Sequence, residues 1–127
     1  MIINIPTSIG ELVDKISILI VKQKNITDQD KLSQVNKELN FLQDTLSNHL
    51  TNEEIDIYLN NLVDVNSRLW IIEDNIRECE RKKSFNQEFI KLARSVYITN
   101  DERAKIKLEM NNHTGSKIKE IKEYTSY

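Results

Sequence analysis

The sequence predicts an all-α fold, a helical bundle in which two shorter N-terminal helices pack on a long antiparallel hairpin. Two observations support this prediction. The 127 residues include only two glycines and one proline, too few for the many turns of a β-sandwich or barrel. Apolar residues make up 39% of the chain and charged residues 30%, which is typical of amphipathic helices with one buried stripe each. The length suits one core, so we expect residues 1–127 to form a single helical domain.

The first helix begins with the pattern of a capping box, Ser8 with Glu11 three residues later. Apolar residues then follow a 3.6-residue period, and the helix is predicted to end at Gln23 or Lys24. On this helix Glu11 and Asp14 project opposite the apolar stripe. We therefore expect both carboxylates to be solvated rather than to bind a metal ion.

The second helix is predicted to begin at Thr27 or Asp28, both residue types that favour the N-cap position. Its apolar positions then alternate three and four residues apart, which is the spacing of a coiled-coil seam. The helix is expected to end near His49–Leu50. The seam residues are Leu32, Val35, Leu39, Leu42, Leu46 and His49.

The third helix begins with another capping-box pattern, Thr51 with Glu54, and is predicted to run to about Lys82. At 1.5 Å per residue a helix of this length spans about 45 Å. Its apolar stripe includes Leu69 and Ile72, which we expect to be buried against the fourth helix.

The fourth helix is predicted to be capped by Ser84 with Gln87 and to end at Gly115, with residues 116–124 adding one or two helical turns. Because the connection from the third helix is short, the two helices are predicted to form an antiparallel hairpin. Phe89 and Val96 are expected to face the third helix and to be buried.

Polar residues continue the apolar face of the fourth helix beyond Val96, and the predicted hairpin brings polar and aromatic residues of the third helix beside them. Such a break is typical of a functional site, or of a helix end that leaves the bundle into solvent. A mixture of amides, aromatics and cations could orient a small anionic ligand. The alternative is a set of structural ion pairs, Glu73 with Arg94 or Arg77 and Arg103 with Asp64. The candidate anion site comprises Asn66, Trp70, Glu73, Arg94, Tyr97, Asn100, Arg103 and Lys107.

Several stretches carry a resemblance that extends along nearly the whole chain: Ile9–Ile16, Leu69–Arg77, Phe89–Tyr97, Asn100–Asp101, Arg103–Ala104, Ile106–Lys107 and Gly115–Ser116. Together they resemble a family of small uncharacterised helical proteins of bacteria and marine phages. The resemblance implies no established activity. Members of that family often lie near genes for sugar-modifying enzymes, which implies a link to glycan metabolism. Residues 120–124 depart from the family's closing segment, so the resemblance gives them no role.

Composition excludes several classes of function. A formal net charge of −2 argues against general nucleic-acid binding. No apolar run approaches the roughly 18 residues of a membrane span, so no membrane contact is expected. One cysteine excludes a disulfide framework and a cysteine-rich zinc site, and we expect neither a metal nor a cofactor. These features predict a cytoplasmic protein, in a bacterium or a phage-infected cell by the resemblance.

The sequence favours a non-enzymatic helical interaction or accessory protein that self-associates. Ile71 and Ile98 project away from the main stripes of their helices, and helices with two apolar faces are usually covered twice. We therefore expect a homo-oligomer that uses these two residues. The alternative is a small-molecule-binding protein, or an enzyme, that acts on a phosphorylated or carboxylated metabolite such as a sugar derivative at the candidate anion site.

Overall fold

The computed structural model describes residues 1–127 as four helices with no strand: α1 (Ile9–Asn25), α2 (Gln29–Ser47), α3 (Asn52–Lys82) and α4 (Gln87–Thr114). The predicted all-α helical bundle is confirmed. None of the four helices combines the length and the apolar character needed to cross a membrane.

The predicted N-cap residues of the first three helices are confirmed, although only half of the predicted capping box forms at Ser8, because the Glu11 carboxylate pairs with Lys107. The Ser8 hydroxyl accepts a hydrogen bond from the backbone N–H of Glu11, and the Asp28 carboxylate accepts one from that of Lys31 at 2.9 Å. At the start of α3, Thr51 forms both reciprocal bonds of a capping box. Each cap satisfies N–H groups that have no partner within the helix, which is why these starts are readable from sequence.

The connection between α3 and α4 differs from the prediction. Asn86 rather than Ser84 caps α4, accepting from the backbone N–H of Phe89 at 3.3 Å, and Lys83 ends α3 in the left-handed conformation. The centre of the turn therefore lies closer to the C-terminus than it would if Ser84 capped α4. As a result Arg68 lies opposite Glu102, about one helical turn from the predicted register.

Gly115 ends α4 as predicted, in the left-handed conformation that a glycine adopts without strain. The predicted helical turns over residues 116–124 are wrong, because the chain reverses there and runs back along α4 as an irregular tail (residues 116–127). Hydrogen bonds hold this tail at both ends: Lys119 Nζ donates to Asn112 Oδ1 at 2.7 Å, and the Tyr127 hydroxyl donates to Asp101 Oδ2 at 2.6 Å.

The hydrophobic core surrounds α1, which contacts all three other helices. It supplies four of the ten core residues, so it is the central helix of the bundle rather than a cover on one side of the hairpin. The core residues are Leu12, Val13, Ile16, Leu19, Val35, Leu39, Leu46, Ile55, Leu62 and Met110.

The part of the hairpin nearest the turn, residues 67–98, contains no buried residue, and we call it the hairpin end. The expectation that its inward-facing residues are buried is therefore wrong, because α2 packs mainly on α1 and only the end of α1 reaches the hairpin end, where Ile18 and Val21 lie beside Trp70. Two helices that pack mainly on each other leave part of each apolar stripe open to water. The affected residues, all half-buried, are Leu69, Ile72, Phe89 and Val96.

Gly10 marks a close approach of α1 to α4. Its N–H donates to Asn111 Oδ1 at 2.6 Å, which satisfies one of the unpaired donors at the start of α1. A Cβ atom at this position would lie 2.7 Å from the backbone oxygen of Lys107, which is closer than real contacts of this kind. Because that oxygen belongs to the helix backbone, it cannot move aside alone.

Replacing Gly10 with alanine is expected to lower the free energy of unfolding by about 1–3 kcal/mol, because the added methyl group forces α1 away from α4. Urea denaturation followed by circular dichroism measures the effect. Lys24→Ala, at an exposed position on the same helix, should change stability by less than about 0.5 kcal/mol. Equal stability of Gly10→Ala and the wild type would show that the two helices are not this close.

Candidate functional site

Asp14 lies at the centre of a buried polar cluster between α1, α3 and α4, with a residue exposure of 1%. Arg103 donates from Nε to Oδ1 at 2.9 Å and from Nη2 to Oδ2 at 2.5 Å, and Asn66 Nδ2 donates to Oδ1 at 3.0 Å. A two-point contact of this kind matches the planar guanidinium to the carboxylate. One carboxylate of α1 is thereby joined to both long helices.

Ser17 completes the polar contacts on α1. Its hydroxyl accepts from Asn66 Nδ2 at 2.7 Å and donates to the backbone oxygen of Asp14 at 2.6 Å. The Asn66 amide therefore bridges two side chains of α1 through its two N–H bonds. Hydrogen-bond partners compensate a buried polar group for the water that it loses. Every buried polar atom of the Asp14, Ser17 and Asn66 side chains has such a partner.

The expectation that Asp14 is solvated is wrong, and the reason lies in a second face of α1. Gly10, Asp14, Ser17 and Val21 fall within about 60° of one another on the helical wheel, and all four are buried. This narrow face of mostly small residues packs toward α3 and α4, while the broad apolar stripe packs elsewhere in the core. Small residues recurring at helical spacing are the sequence signal that identifies such a face.

Lys107 forms the second charged contact of the cluster. Its side chain is only 7% exposed, and Nζ lies 2.7 Å from Glu11 Oε2, 2.8 Å from Glu120 Oε2 and 3.9 Å from Asp14 Oδ2. Burial alone would lower the pKa of Lys107, but hydrogen bonds to Glu11 and Glu120 outweigh it and raise the pKa. The hydrogen bond from Lys107 holds the pKa of Glu120 below its usual value, so Lys107 and Glu120 are both charged at neutral pH.

Five of the eight residues predicted to form the anion site line one cleft of about 440 Å³ between α1, α3 and α4, which we call the Trp70 cleft. The helix α1 contributes apolar walls through Ile18 and Val21, which the prediction had assigned to no site. The five residues are Asn66, Trp70, Glu73, Asn100 and Arg103.

A second, almost entirely polar cleft of about 190 Å³ lies between α4 and the tail, and we call it the tail cleft. It includes Lys107, another of the predicted residues, and shares Asn100 and Arg103 with the Trp70 cleft. The tail residues Glu120 and Lys122 close its other side. The prediction missed both, because it expected helical turns where the tail folds back.

Two predicted residues lie apart from both clefts. Tyr97 packs edge-on against Tyr127, with ring centroids 5.3 Å apart, and Arg94 is exposed. The register of the hairpin explains this, since the assumed pairing of Glu73 with Arg94 is displaced by about one helical turn. Glu73 pairs instead with Arg77, the other partner considered for it.

The considered pair of Arg103 with Asp64 is also wrong. Asp64 pairs with Arg68 at 3.2 Å, whereas Arg103 turns inward to Asp14. The hydrogen bonds to Asp14 are the largest cause of a raised pKa at Arg103. Both cations of the predicted anion site are therefore already bound to carboxylates, and an incoming anion has to compete with one of them.

No group of three or more His, Cys, Asp and Glu side chains is arranged to hold a metal ion.

Ile71 and Ile98, the residues expected to form an interface, both lie in the hairpin end. Their exposures are 59% and 39%.

Arg103→Ala is expected to lower the free energy of unfolding by about 3–5 kcal/mol, because it leaves the buried Asp14 carboxylate without its main partner. The double variant Asp14→Asn/Arg103→Ala should lose much less than the two single variants added together, since both charges are then gone. Chemical denaturation of the four proteins measures this difference.

Arg94→Ala is the matched control, because Arg94 is an exposed arginine of the same helix with no ion-pair partner. It should change stability by less than about 0.5 kcal/mol. Similar losses for Arg94→Ala and Arg103→Ala, or strict additivity in the double variant, would contradict the buried pair.

Comparison with known protein families finds one match, over residues 2–127, to a family of unknown function, DUF6165. No curated protein and no solved structure matches the chain. The match covers all the stretches that carry the sequence resemblance, from Ile9–Ile16 to Gly115–Ser116. The prediction of an uncharacterised family is thereby confirmed, and the chain belongs to the DUF6165 family of unknown function.

Proposed function

We propose that the protein is a non-enzymatic helical interaction or accessory protein that self-associates through its hairpin end. The observation that supports this most strongly is the absence of any buried residue between Asn66 and Thr99, although both helices carry an apolar stripe there. Most helical stability in proteins comes from covering such a stripe. The hairpin end needs a partner to supply that cover.

Apolar side chains of the hairpin end are open on two sides. Along the line where α3 faces α4, residues such as Ile72 and Phe89 are only half-buried. Five further large apolar residues are exposed within this short segment, which is typical of an interaction surface rather than of scattered surface residues. They are Ile71, Phe85, Ile90, Tyr97 and Ile98.

The distribution of charge favours a second copy of the chain as this partner. Exposed charges of both signs alternate along this part of α3, where Glu73 pairs with Arg77 and the basic residues 81–83 pair with Glu78 and Glu80. Exposed pairs of this kind contribute little and can exchange partners, so two hairpin ends that pack side by side in opposite directions can pair acidic residues of one copy with basic residues of the other. A two-fold axis makes this contact twice, as in most homodimers.

Such an arrangement brings four helical segments together, two from each copy. The α3 segment of the hairpin end is about 24 Å long at 1.5 Å per residue, which suffices for a short four-helix bundle. In it the apolar stripes of both copies face a shared core. The hairpin end thus becomes buried without any change within the chain.

The cellular location that we propose is the cytoplasm of a bacterium or a phage-infected cell. A single cysteine, Cys79, leaves the fold independent of disulfides and suits a reducing compartment. The source follows from the sequence resemblance, and the lysine- and asparagine-rich composition is compatible with it.

Sedimentation velocity tests the self-association directly. At about 100 μM the wild type should be a dimer or larger, and Ile71→Glu or Ile98→Glu should weaken association at least about tenfold by placing a charge in an apolar contact. Ile57→Glu is the matched control, since Ile57 is an exposed isoleucine of α3 outside the hairpin end. A monomeric wild type at this concentration, or equal disruption by Ile57→Glu, would contradict the proposal.

A further inference from the structure

We propose that the tail cleft is a binding site for a small carboxylate ligand, and that the Glu120 side chain occupies the ligand's place in the free protein. This inference concerns a different surface from the hairpin end and does not depend on self-association. It rests on the burial of Lys107, the position of Glu120 in the irregular tail and the charges around them.

The contact between Lys107 and Glu120 joins a fixed group to a movable one. Lys107 projects from the C-terminal third of α4, two turns before the helix ends, and its ammonium group is held among Glu11, Asp14 and Glu120. The Glu120 side chain is partly exposed and belongs to a segment without helix or strand. A carboxylate on a side chain of this kind can rotate into water without disturbing the helices, and Lys107 is then accessible from the cleft.

The tail itself is held on both sides of Glu120. Before it, Ser116 N–H donates to the backbone oxygen of Asn111 at 2.9 Å, and Lys119 binds Asn112. After it, Tyr127 binds Asp101. Exchange of Glu120 for an external carboxylate therefore requires rotation of one side chain, while the tail and its cleft wall stay in place.

Charge balance indicates which ligand replaces Glu120. Three cations meet at the tail cleft, namely Arg103, Lys107 and Lys122, and Lys122 is in no ion pair. With Glu120 in place, three carboxylates balance these cations: Glu11 and Glu120, which line the cleft, and Asp14 behind it. When Glu120 rotates out, one positive charge is left without a partner, and a ligand with one carboxylate restores the balance.

The remaining donors fit the same ligand. The second terminal nitrogen of Arg103, Nη1, makes only a long bond of 3.4 Å to Asn100 Oδ1, and Asn100 Nδ2 has no partner. Both residues line the cleft, so an entering carboxylate oxygen finds donors besides Lys107. Charge-assisted hydrogen bonds of this type are about twice as strong as neutral ones. The volume of about 190 Å³ admits a ligand of a few carbon atoms.

Titration with sodium acetate, followed by the backbone amide signals of residues 100–107 in nuclear magnetic resonance spectra, tests this site. Acetate is added up to about 50 mM, with sodium chloride lowered to hold the ionic strength constant. Glu120→Gln removes the competing charge and is expected to bind acetate about tenfold more tightly than the wild type. Adding Lys122→Gln to that variant should weaken binding about threefold, because one cation of the cleft is lost.

The matched control is Glu123→Gln, which removes the same charge from the same tail at a carboxylate without an ion-pair or hydrogen-bond partner. It should leave acetate affinity within about twofold of the wild type. The proposal is overturned if Glu120→Gln binds acetate no better than Glu123→Gln. It is also overturned if Glu120→Gln prefers inorganic phosphate in a parallel titration, since the site is then not one for carboxylates.

Discussion

The ion pair between Asp14 and Arg103 determines how α1 sits between the two long helices. A buried carboxylate is stable only with its partners in place, so α1 cannot rotate or slide without leaving a charge unpaired. The same constraint holds at Gly10, where the backbone of α1 comes too close to α4 for any side chain. Because burial of a charge pair carries a large desolvation cost, we interpret the pair as specifying the arrangement of the helices more than stabilising it.

The polar cluster divides the molecule into two parts with different exposure. On one side of it lies the core around α1, and on the other side lies the hairpin end without a buried residue. Asn66 and Thr99, the last buried residues before the hairpin end on α3 and α4, lie at this division. A fold that closes its core at one end and leaves matching apolar stripes open at the other is suited to assembly, whereas the clefts beside the cluster are suited to a small ligand.

Local rules were sufficient for much of the fold. The caps at Ser8, Asp28 and Thr51 and the stop at Gly115 depend on neighbouring residues alone, so the sequence predicts them. Local sequence gives no reason to prefer Asn86 over Ser84 as the cap of α4. Because the prediction used Ser84, it placed the hairpin in a shifted register. Periodicity shows that a helix has an apolar stripe, but not how much of the stripe another helix covers.

The candidate site was also predicted only in part, because a periodic pattern describes one helix and not its contacts with other segments. Interruption of the apolar face of α4 identified Asn100, Arg103 and Lys107, because that signal lies within one helix. Their carboxylate partners come from α1 and from the tail, far away in sequence, and no periodic pattern links them to α4. Asp14 was assigned to the solvent because the prediction allowed α1 only one buried face, whereas a central helix has more than one.

Hydrogen exchange measured by mass spectrometry at several protein concentrations tests most directly whether the hairpin end is completed by a second copy. The amides of residues 67–98 should exchange quickly at low micromolar concentration and become protected near about 100 μM, while those of α1 are protected throughout. Protection of residues 67–98 that is already high in the dilute monomer, and does not change with concentration, would contradict this account.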